Sequence, residues 1–225
     1  MAQRTKRTIK RLFFPLAIIV IATSFSGAYF SDSVSVSGNT FQTGNWGAPT
    51  PPPSTPGKVV ISEVFYDAVG TDTGKEWIEL YNSGDLAIDL TGYDLYYGHN
   101  YTFPTFSLNG RSFVLIHNNK IGTDSLTDLY TGTTSSGNMG DSYGTVVIFN
   151  STTHNSSTIV DFVQYGSGGH TWESAAATAS IWTAGDFVTD VAAGHSIELK
   201  DPSIDTNQSG DWRDQSTPSP GSWTP

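Results

Sequence analysis

Four oxygen-bearing residues near the C-terminus have the spacing of half a calcium-binding loop. They are Asp205, Asn207, Ser209 and Asp211. Gly210 permits a sharp turn, and calcium prefers hard oxygen ligands at alternate positions of such a turn. Ser216 stands where a complete loop has its bidentate glutamate. The spacing predicts a calcium site with an incomplete ligand shell; the alternative is a turn in which Asp211 and Asn207 bind backbone amides while Trp212 closes the end of a sandwich.

Residues 140–144 read GDSYG, which fits the GxSxG signature of a hydrolase nucleophile elbow. That elbow requires a strand before the serine and a helix after it. Here residues 145–149 form the most strand-like run in the chain. We therefore interpret the segment as a turn that enters a strand, with its glycines at positive φ, and predict no catalytic role for Ser142.

Tyrosines cluster between residues 93 and 101. Exposed tyrosine rings can stack against sugars, as they do in carbohydrate-binding sandwiches. Strand alternation places Tyr93 and Tyr97 on one face with Leu95, and Tyr96 on the other, so part of the cluster belongs to the core. Tyr96 and Tyr101 are the candidate ligand platform.

The composition favours an exported, acidic protein. The first 28 residues hold five of the eleven Lys and Arg and none of the 21 Asp and Glu, so the remainder is strongly acidic. An acidic surface repels phosphate backbones, and nucleic acid is not an expected partner. The chain has no cysteine, which excludes disulfides and thiolate metal sites.

The N-terminus has the order of a secretory signal: a basic segment, an apolar run over residues 12–25, and the small residues 26–28. The run is shorter than the roughly 20 residues that span a bilayer. We expect cleavage of residues 1–28, with an uncleaved membrane anchor as the alternative. Residues 29–57 include the tract APTPPPSTPG and are assigned to a proline-rich linker or stalk.

Beyond residue 58, short β-branched and aromatic runs alternate with turn residues, which is typical of an all-β sandwich or barrel. The predicted strands are residues 59–65, 76–82, 93–97, 112–117, 145–149, 158–164 and 196–200. In the second strand we expect Ile78 and Leu80 to face inward, with Trp77 and Tyr81 at an edge or under a loop. Residues 171–184 are expected to form a long loop with a helical turn.

Two segments resemble known families. AYFSD at residues 28–32 and SGNTFQTGNW at residues 37–46 resemble the start of camelysin- and TasA-like matrix proteins, whose leaders are SipW-dependent-type signal peptides. Three later blocks resemble the microbial secreted branch of the lamin tail domain family. These blocks are residues 59–97 with EWIELYN, residues 101–118, and residues 195–223 with DTNQSGDW and TPSPG.

The second resemblance implies an immunoglobulin-like antiparallel β-sandwich over residues 58–225, without catalytic apparatus. We therefore expect a secreted or cell-surface module for adhesion or for matrix or envelope assembly. The alternative is a carbohydrate-binding accessory domain of a secreted hydrolase or nuclease system. The expected partner is an extracellular protein or polysaccharide, and no cofactor besides calcium is predicted.

Overall fold

A computed structural model describes residues 54–132 and 137–223. The strands in these ranges are β1 (Val59–Phe65), β2 (Trp77–Asn82), β3 (Ile88–Asp89), β4 (Asp94–Tyr96), β5 (Asn100–Thr102), β6 (Ser107–Leu108), β7 (Phe113–His117), β8 (Asp128–Tyr130), β9 (Gly144–Phe149), β10 (Ile159–Tyr165), β11 (Ser196–Leu199) and β12 (Trp212–Gln215). A short helix, α1 (Glu173–Thr178), and a 3₁₀ turn (Ser209–Asp211) complete the described elements. The described helices are too short to cross a membrane.

Two main sheets form the sandwich. The six-stranded sheet has the order β12-β11-β1-β2-β7-β8, and the four-stranded sheet has the order β10-β9-β4-β5. The short strands β3 and β6 pair with each other. Neighbouring strands run antiparallel except β7 and β8, which are parallel. The predicted immunoglobulin-like β-sandwich is confirmed, with one parallel pair at an edge.

Strand β2 shows how alternation sets the core. Ile78 and Leu80 are fully buried, which confirms their predicted inward position. Trp77 and Tyr81 do not lie at a sheet edge, because β2 lies between β1 and β7. Instead Trp77 stacks on Phe65 of the neighbouring strand, with ring centroids 5.7 Å apart. A central strand thus carries aromatic and acidic side chains on its outer face.

The Ala-rich segment 171–184 covers one face of the four-stranded sheet. It contains α1, as the expected helical turn, followed by Trp182. Trp182 packs on Phe162 with ring centroids 5.5 Å apart, and Trp172 meets Phe149 edge-on at 5.4 Å. The segment therefore buries Phe149 and Phe162, which alternation places on the sheet face that points away from Leu95 and Ile148.

The end of the proline tract is attached to the domain. The Thr55 amide donates to Asp85 Oδ2 at 2.7 Å, and the Asp85 amide donates to the Thr55 carbonyl at 2.9 Å. The Lys58 amide donates to Asn82 Oδ1 at 3.1 Å. The bond from the Thr55 amide, followed by one from Arg111, lowers the pKa of the exposed Asp85 carboxyl to about 2. Thr55, which the sequence assigns to the linker, is thus bonded to the turn after β2.

Candidate functional site

Three glutamates form a row on the outer face of the six-stranded sheet. The strand register places Glu63 of β1 beside Glu79 of β2 and beside Glu198 of β11. All three are at most 2% exposed. We call Glu63, Glu79 and Glu198 the glutamate row. Three adjacent carboxylates on a sheet repel one another unless they are protonated or accept hydrogen bonds. The residues that cover the row therefore determine the protonation of its carboxyl groups.

Residues 217–223 cross this row, and we call them the C-terminal strap. The Ser219 amide donates to Glu63 Oε1 at 3.1 Å, and the Ser219 hydroxyl donates to Glu198 Oε1 at 3.0 Å. The Gly221 amide donates to Glu79 Oε2 at 2.5 Å. Gly221 has φ of +78°, a left-handed conformation that favours glycine. The strap therefore supplies hydrogen-bond donors to all three buried carboxyl groups.

The sheet itself supplies further donors to the row. The Ser62 hydroxyl donates to Glu79 Oε1 at 2.7 Å, and the Ser196 hydroxyl donates to Glu63 Oε1. Arg213 of β12 donates to Glu198 Oε2 from Nη2 at 2.6 Å and from Nε at 2.9 Å. Arginine and serine thus complete the polar shell beneath the strap.

Burial dominates the acidity of the row. Loss of water raises the pKa of Glu63 to about 7, against the lowering effect of its bonds to Ser196 and Ser219. Burial likewise raises the pKa of Glu79 to about 8, and the neighbouring carboxylates Glu63 and Glu198 add to the rise. Glu63 and Glu79 are therefore mostly protonated in mildly acidic solution and lose their protons near and above neutrality.

Two further buried acids are bonded to backbone amides. Glu76 accepts from the Met139 amide at 2.9 and 3.0 Å and from Asn118 Nδ2 at 2.7 Å, and burial raises its pKa to about 7. Asp161 accepts from the Ile61 amide at 2.6 Å, which links β10 to β1. Burial, followed by repulsion from Asp205, raises the pKa of Asp161. These acids hold strands and loops together.

The four residues of the predicted calcium loop have other partners in the structure. Asp205 Oδ1 accepts from the Asn207 amide at 3.0 Å, and Asp211 Oδ2 accepts from the Thr206 amide at 2.8 Å. The Ser209 amide and hydroxyl donate to Asp186 at 2.7 and 2.6 Å. Within residues 54–132 and 137–223, no group of three or more His, Asp or Glu could hold a metal ion. Calcium binding at this loop stays a prediction.

Asp205 has a neighbour that the sequence pattern did not indicate. Its Oδ2 atom lies 3.8 Å from Lys58 Nζ, and its side chain is 6% exposed. Its charge also acts on Asp161, more than 40 residues earlier in the chain. Such a pair of acids depends on tertiary contact, so motif spacing could not reveal it.

Tyr96 and Tyr101 lie on opposite faces of the four-stranded sheet. The register places Tyr101 directly opposite Leu95, whose side chain is buried, while Tyr96 follows Leu95 along β4 and points the other way. Tyr96 meets Trp172 edge-on at 6.3 Å, and Tyr101 meets Phe103 at 5.3 Å. One ligand cannot stack on both rings at once; a role for either ring alone stays a prediction.

Ser142 lies in a bend directly before β9, and a strand rather than a helix follows it. The interpretation as a turn entering a strand is confirmed. The expected positive φ is wrong for Gly140 and Gly144, since neither is among the residues in that conformation. Glycine is required at position 144 because a Cβ atom there would lie 2.5 Å from the Tyr165 hydroxyl oxygen. Close packing of β9 on β10 therefore explains the second glycine.

Comparison with protein families identifies the domain. Residues 52–214 match the Lamin Tail Domain family, and the match covers well over half of the chain. The chain belongs to the lamin tail domain family. A search of curated proteins finds no match. The glutamate row of this lamin tail domain lies within the matched residues, whereas the C-terminal strap follows them.

The lamin tail domain also carries a cavity at one end of the glutamate face. Its volume is about 330 Å³. The lining residues are Tyr81, Arg111, Phe113, Asp201, Pro202, Ser203 and Trp223. We call this cavity the aromatic pocket. Sequence reasoning missed it because Tyr81, Phe113 and Trp223 come from two strands and the strap; the signal that was available is the outward alternation of Trp77, Glu79 and Tyr81.

Proposed function

We propose that this lamin tail domain is a structural or interaction module that acts outside the cell, in adhesion or in the assembly of a matrix or envelope. The main support is the use made of its buried acids: Glu63, Glu76, Glu79 and Asp161 each bond to backbone amides of distant segments. Groups that hold the fold in this way are not arranged as an acid and base pair around a substrate. The lamin tail domain is generally a non-catalytic, immunoglobulin-like module.

The location outside the cell is supported by the sequence before the domain. A basic segment, an apolar run and small residues precede the proline tract, in the order of an export signal. The net charge of −10 and the absence of cysteine are compatible with an exported domain that is stabilised by its core alone. The expected partner is an extracellular protein or polysaccharide.

Export is tested by expressing the full chain in an exporting host and adding protease to intact cells. The domain should be found in the medium or be digested from outside. Replacing Arg4, Lys6, Arg7, Lys10 and Arg11 by Ser is the control and should reduce export. A wild-type chain that stays inside and protected would contradict the proposal. An N-terminal sequence beginning at Met1 or Ala2 would favour the anchored form over the cleaved one.

The class of partner is tested with isolated cell envelopes. The protein should co-sediment with untreated envelopes. Prior digestion of the envelopes with protease should abolish retention if the partner is a protein, as the leading proposal holds. Prior digestion with a glycosidase should abolish it if the alternative, a carbohydrate-binding accessory domain, is correct. Equal retention after both digestions, or no retention at all, would contradict both.

A further inference from the structure

Three aromatic side chains line the aromatic pocket because of the strand register and the strap. Tyr81 and Phe113 are direct cross-strand partners, and their ring centroids lie 4.5 Å apart with an interplanar angle of 34°. Trp223 lines the same pocket from the end of the strap, whose Gly221 amide is bonded to Glu79. The indole N–H of Trp223 donates to the Lys200 carbonyl at 2.9 Å. The indole is thereby fixed, and its ring surface remains for a ligand.

The polar groups that line the pocket already have partners, either in the lining or next to it. Arg111 Nε lies 3.0 Å from Asp85 Oδ1, which offsets its charge. Asp201 Oδ1 accepts from the Ser203 amide at 2.9 Å and from the Ser203 hydroxyl at 2.6 Å. A sugar needs partners for several hydroxyl groups, and an anion needs uncompensated positive charge. The paired lining suits a ligand with apolar rings and few donors.

Proline-rich segments have this chemistry. Proline has no backbone N–H, and polyproline II segments dock in grooves lined by aromatic side chains. The chain itself contains such a segment, APTPPP at residues 48–53. The pocket volume lies near the lower end of the roughly 300–1,000 Å³ that ligand sites span, enough for a few residues.

The structure bonds Thr55, two residues beyond this segment, to a residue that contacts the pocket lining. Thr55 is bonded to Asp85, and Asp85 is bonded to Arg111, which lines the pocket. Each copy of the chain therefore carries residues 48–53 shortly before a residue, Thr55, that is bonded to its own domain. A module with both a proline-rich segment and a matching pocket can link one copy to the next, since such a contact is heterologous and need not close.

We propose that the aromatic pocket binds a proline-rich segment in the polyproline II conformation, and that its occupant is residues 48–53 of a second copy of this chain. This inference rests on the assembly role proposed above and names the contact that produces it. Tyr81, Phe113 and Trp223 stack on the proline rings, and Pro202 adds an apolar contact from the lining.

The binding step is tested with a fluorescent peptide, APTPPPSTPG, and the full-length protein in mild detergent, followed by fluorescence anisotropy. We expect saturable binding, and no binding of a peptide in which every proline is replaced by alanine. Tyr81→Ala and Trp223→Ala should each weaken binding about tenfold, as expected for the loss of one ring contact. Tyr81→Phe should bind like the wild type, and so should Tyr143→Ala, which removes an exposed ring elsewhere.

Trp223→Ala also removes the indole bond that attaches the strap to Lys200. Ser203→Trp therefore provides a second variant, which fills the pocket from an exposed position. Circular dichroism must show that each variant is folded. Peptide binding that is absent in the wild type, or unchanged in Tyr81→Ala and Ser203→Trp, overturns the proposal. Binding of cellohexaose in place of the peptide overturns it in favour of a saccharide.

The second-copy occupant is tested by light scattering over a range of protein concentrations. Wild-type protein should form oligomers that excess peptide dissociates, and replacement of Pro51, Pro52 and Pro53 by alanine should abolish them. A wild-type protein that binds the peptide yet stays monomeric overturns the second copy as occupant. Retention on cell envelopes is measured independently, so failure of this contact is distinguishable from failure of the proposed function.

Discussion

The two sheets of the sandwich are covered on their outer faces in opposite ways. The six-stranded sheet presents the glutamate row, and the C-terminal strap covers it with backbone amides and a serine hydroxyl. The four-stranded sheet presents Phe149 and Phe162, and the Ala-rich segment covers them with Trp172 and Trp182. The first cover depends on the protonation of buried acids, whereas the second depends on the burial of apolar area.

This difference predicts that only the strap is weakened as pH rises through neutrality. Opening the strap would return Glu63 and Glu79 to water, where their pKa values fall back toward 4.5. A closed strap therefore binds more protons than an open one, and rising pH favours opening. No such linkage acts on the contact between Trp182 and Phe162.

The largest expected effect is the pH dependence of global stability. The raised pKa values of Glu63, Glu76 and Glu79, about 7 to 8, mean that the folded state holds protons that the unfolded state has lost. This contribution is fully present below pH 4.5 and is lost as pH rises through the folded pKa values. Since one pKa unit corresponds to about 1.4 kcal/mol and the sites interact, we expect the free energy of unfolding to fall by several kcal/mol between pH 5 and pH 9.

Urea unfolding at several pH values measures this loss. A free energy of unfolding that stays level or rises from pH 5 to pH 9 would contradict the assignment of buried, protonated glutamates.

The next effect is the removal of Trp182 from the apolar cover. Trp182 is 4% exposed and packs on Phe162. Trp182→Ala should destabilise the domain by about 3 kcal/mol because it leaves a cavity against the sheet. The loss should be the same at pH 6 and pH 9. A loss that changes with pH would show that the two covers are coupled rather than independent.

A smaller effect is expected for Glu79→Gln. The amide keeps one acceptor oxygen for the donors around it but cannot ionise, so it should flatten the pH dependence and stabilise the domain by about 1–2 kcal/mol at pH 9. Asp214→Asn is the matched control on the same sheet, since Asp214 is exposed and pairs only with His195 in the described contacts. If both variants flatten the curve equally, the glutamate row is not its source.

The smallest effect concerns the loop between β11 and β12. If Asp205, Asn207, Ser209 and Asp211 bind calcium with millimolar affinity, 1 mM calcium should stabilise the domain by about 0.4 kcal/mol, or about 1 °C in the melting midpoint. Thermal melts with calcium and with chelator measure it. An identical midpoint in the two conditions would discard the calcium site.

Much of the fold follows from local pattern, and the site does not. Alternation predicted the long strands and the inward position of Ile78 and Leu80. The two-residue strands β3 and β6 are too short to show alternation. The bond from Ser219 to Glu63 joins residues 156 positions apart, and no local signal specifies it.

The glutamate row illustrates the same limit. Alternation could place Glu79 on the outer face with Trp77 and Tyr81. Only the register shows that Glu63 and Glu198 flank each other on neighbouring strands. A buried row of acids is therefore a tertiary property, although each member stands in a recognisable strand.

Hydrogen exchange of single amides tests the closed strap most directly. After correction for intrinsic exchange rates, the amides of Ser219 and Gly221 should be protected at pH 6 and at least about tenfold less protected at pH 9. The amides of Ala176 and Ile181, which donate to carbonyls of the apolar cover at 2.9 Å, should keep their protection at both pH values. Strap amides that are unprotected at pH 6, or equally protected at pH 6 and pH 9, would contradict a strap held on protonated glutamates.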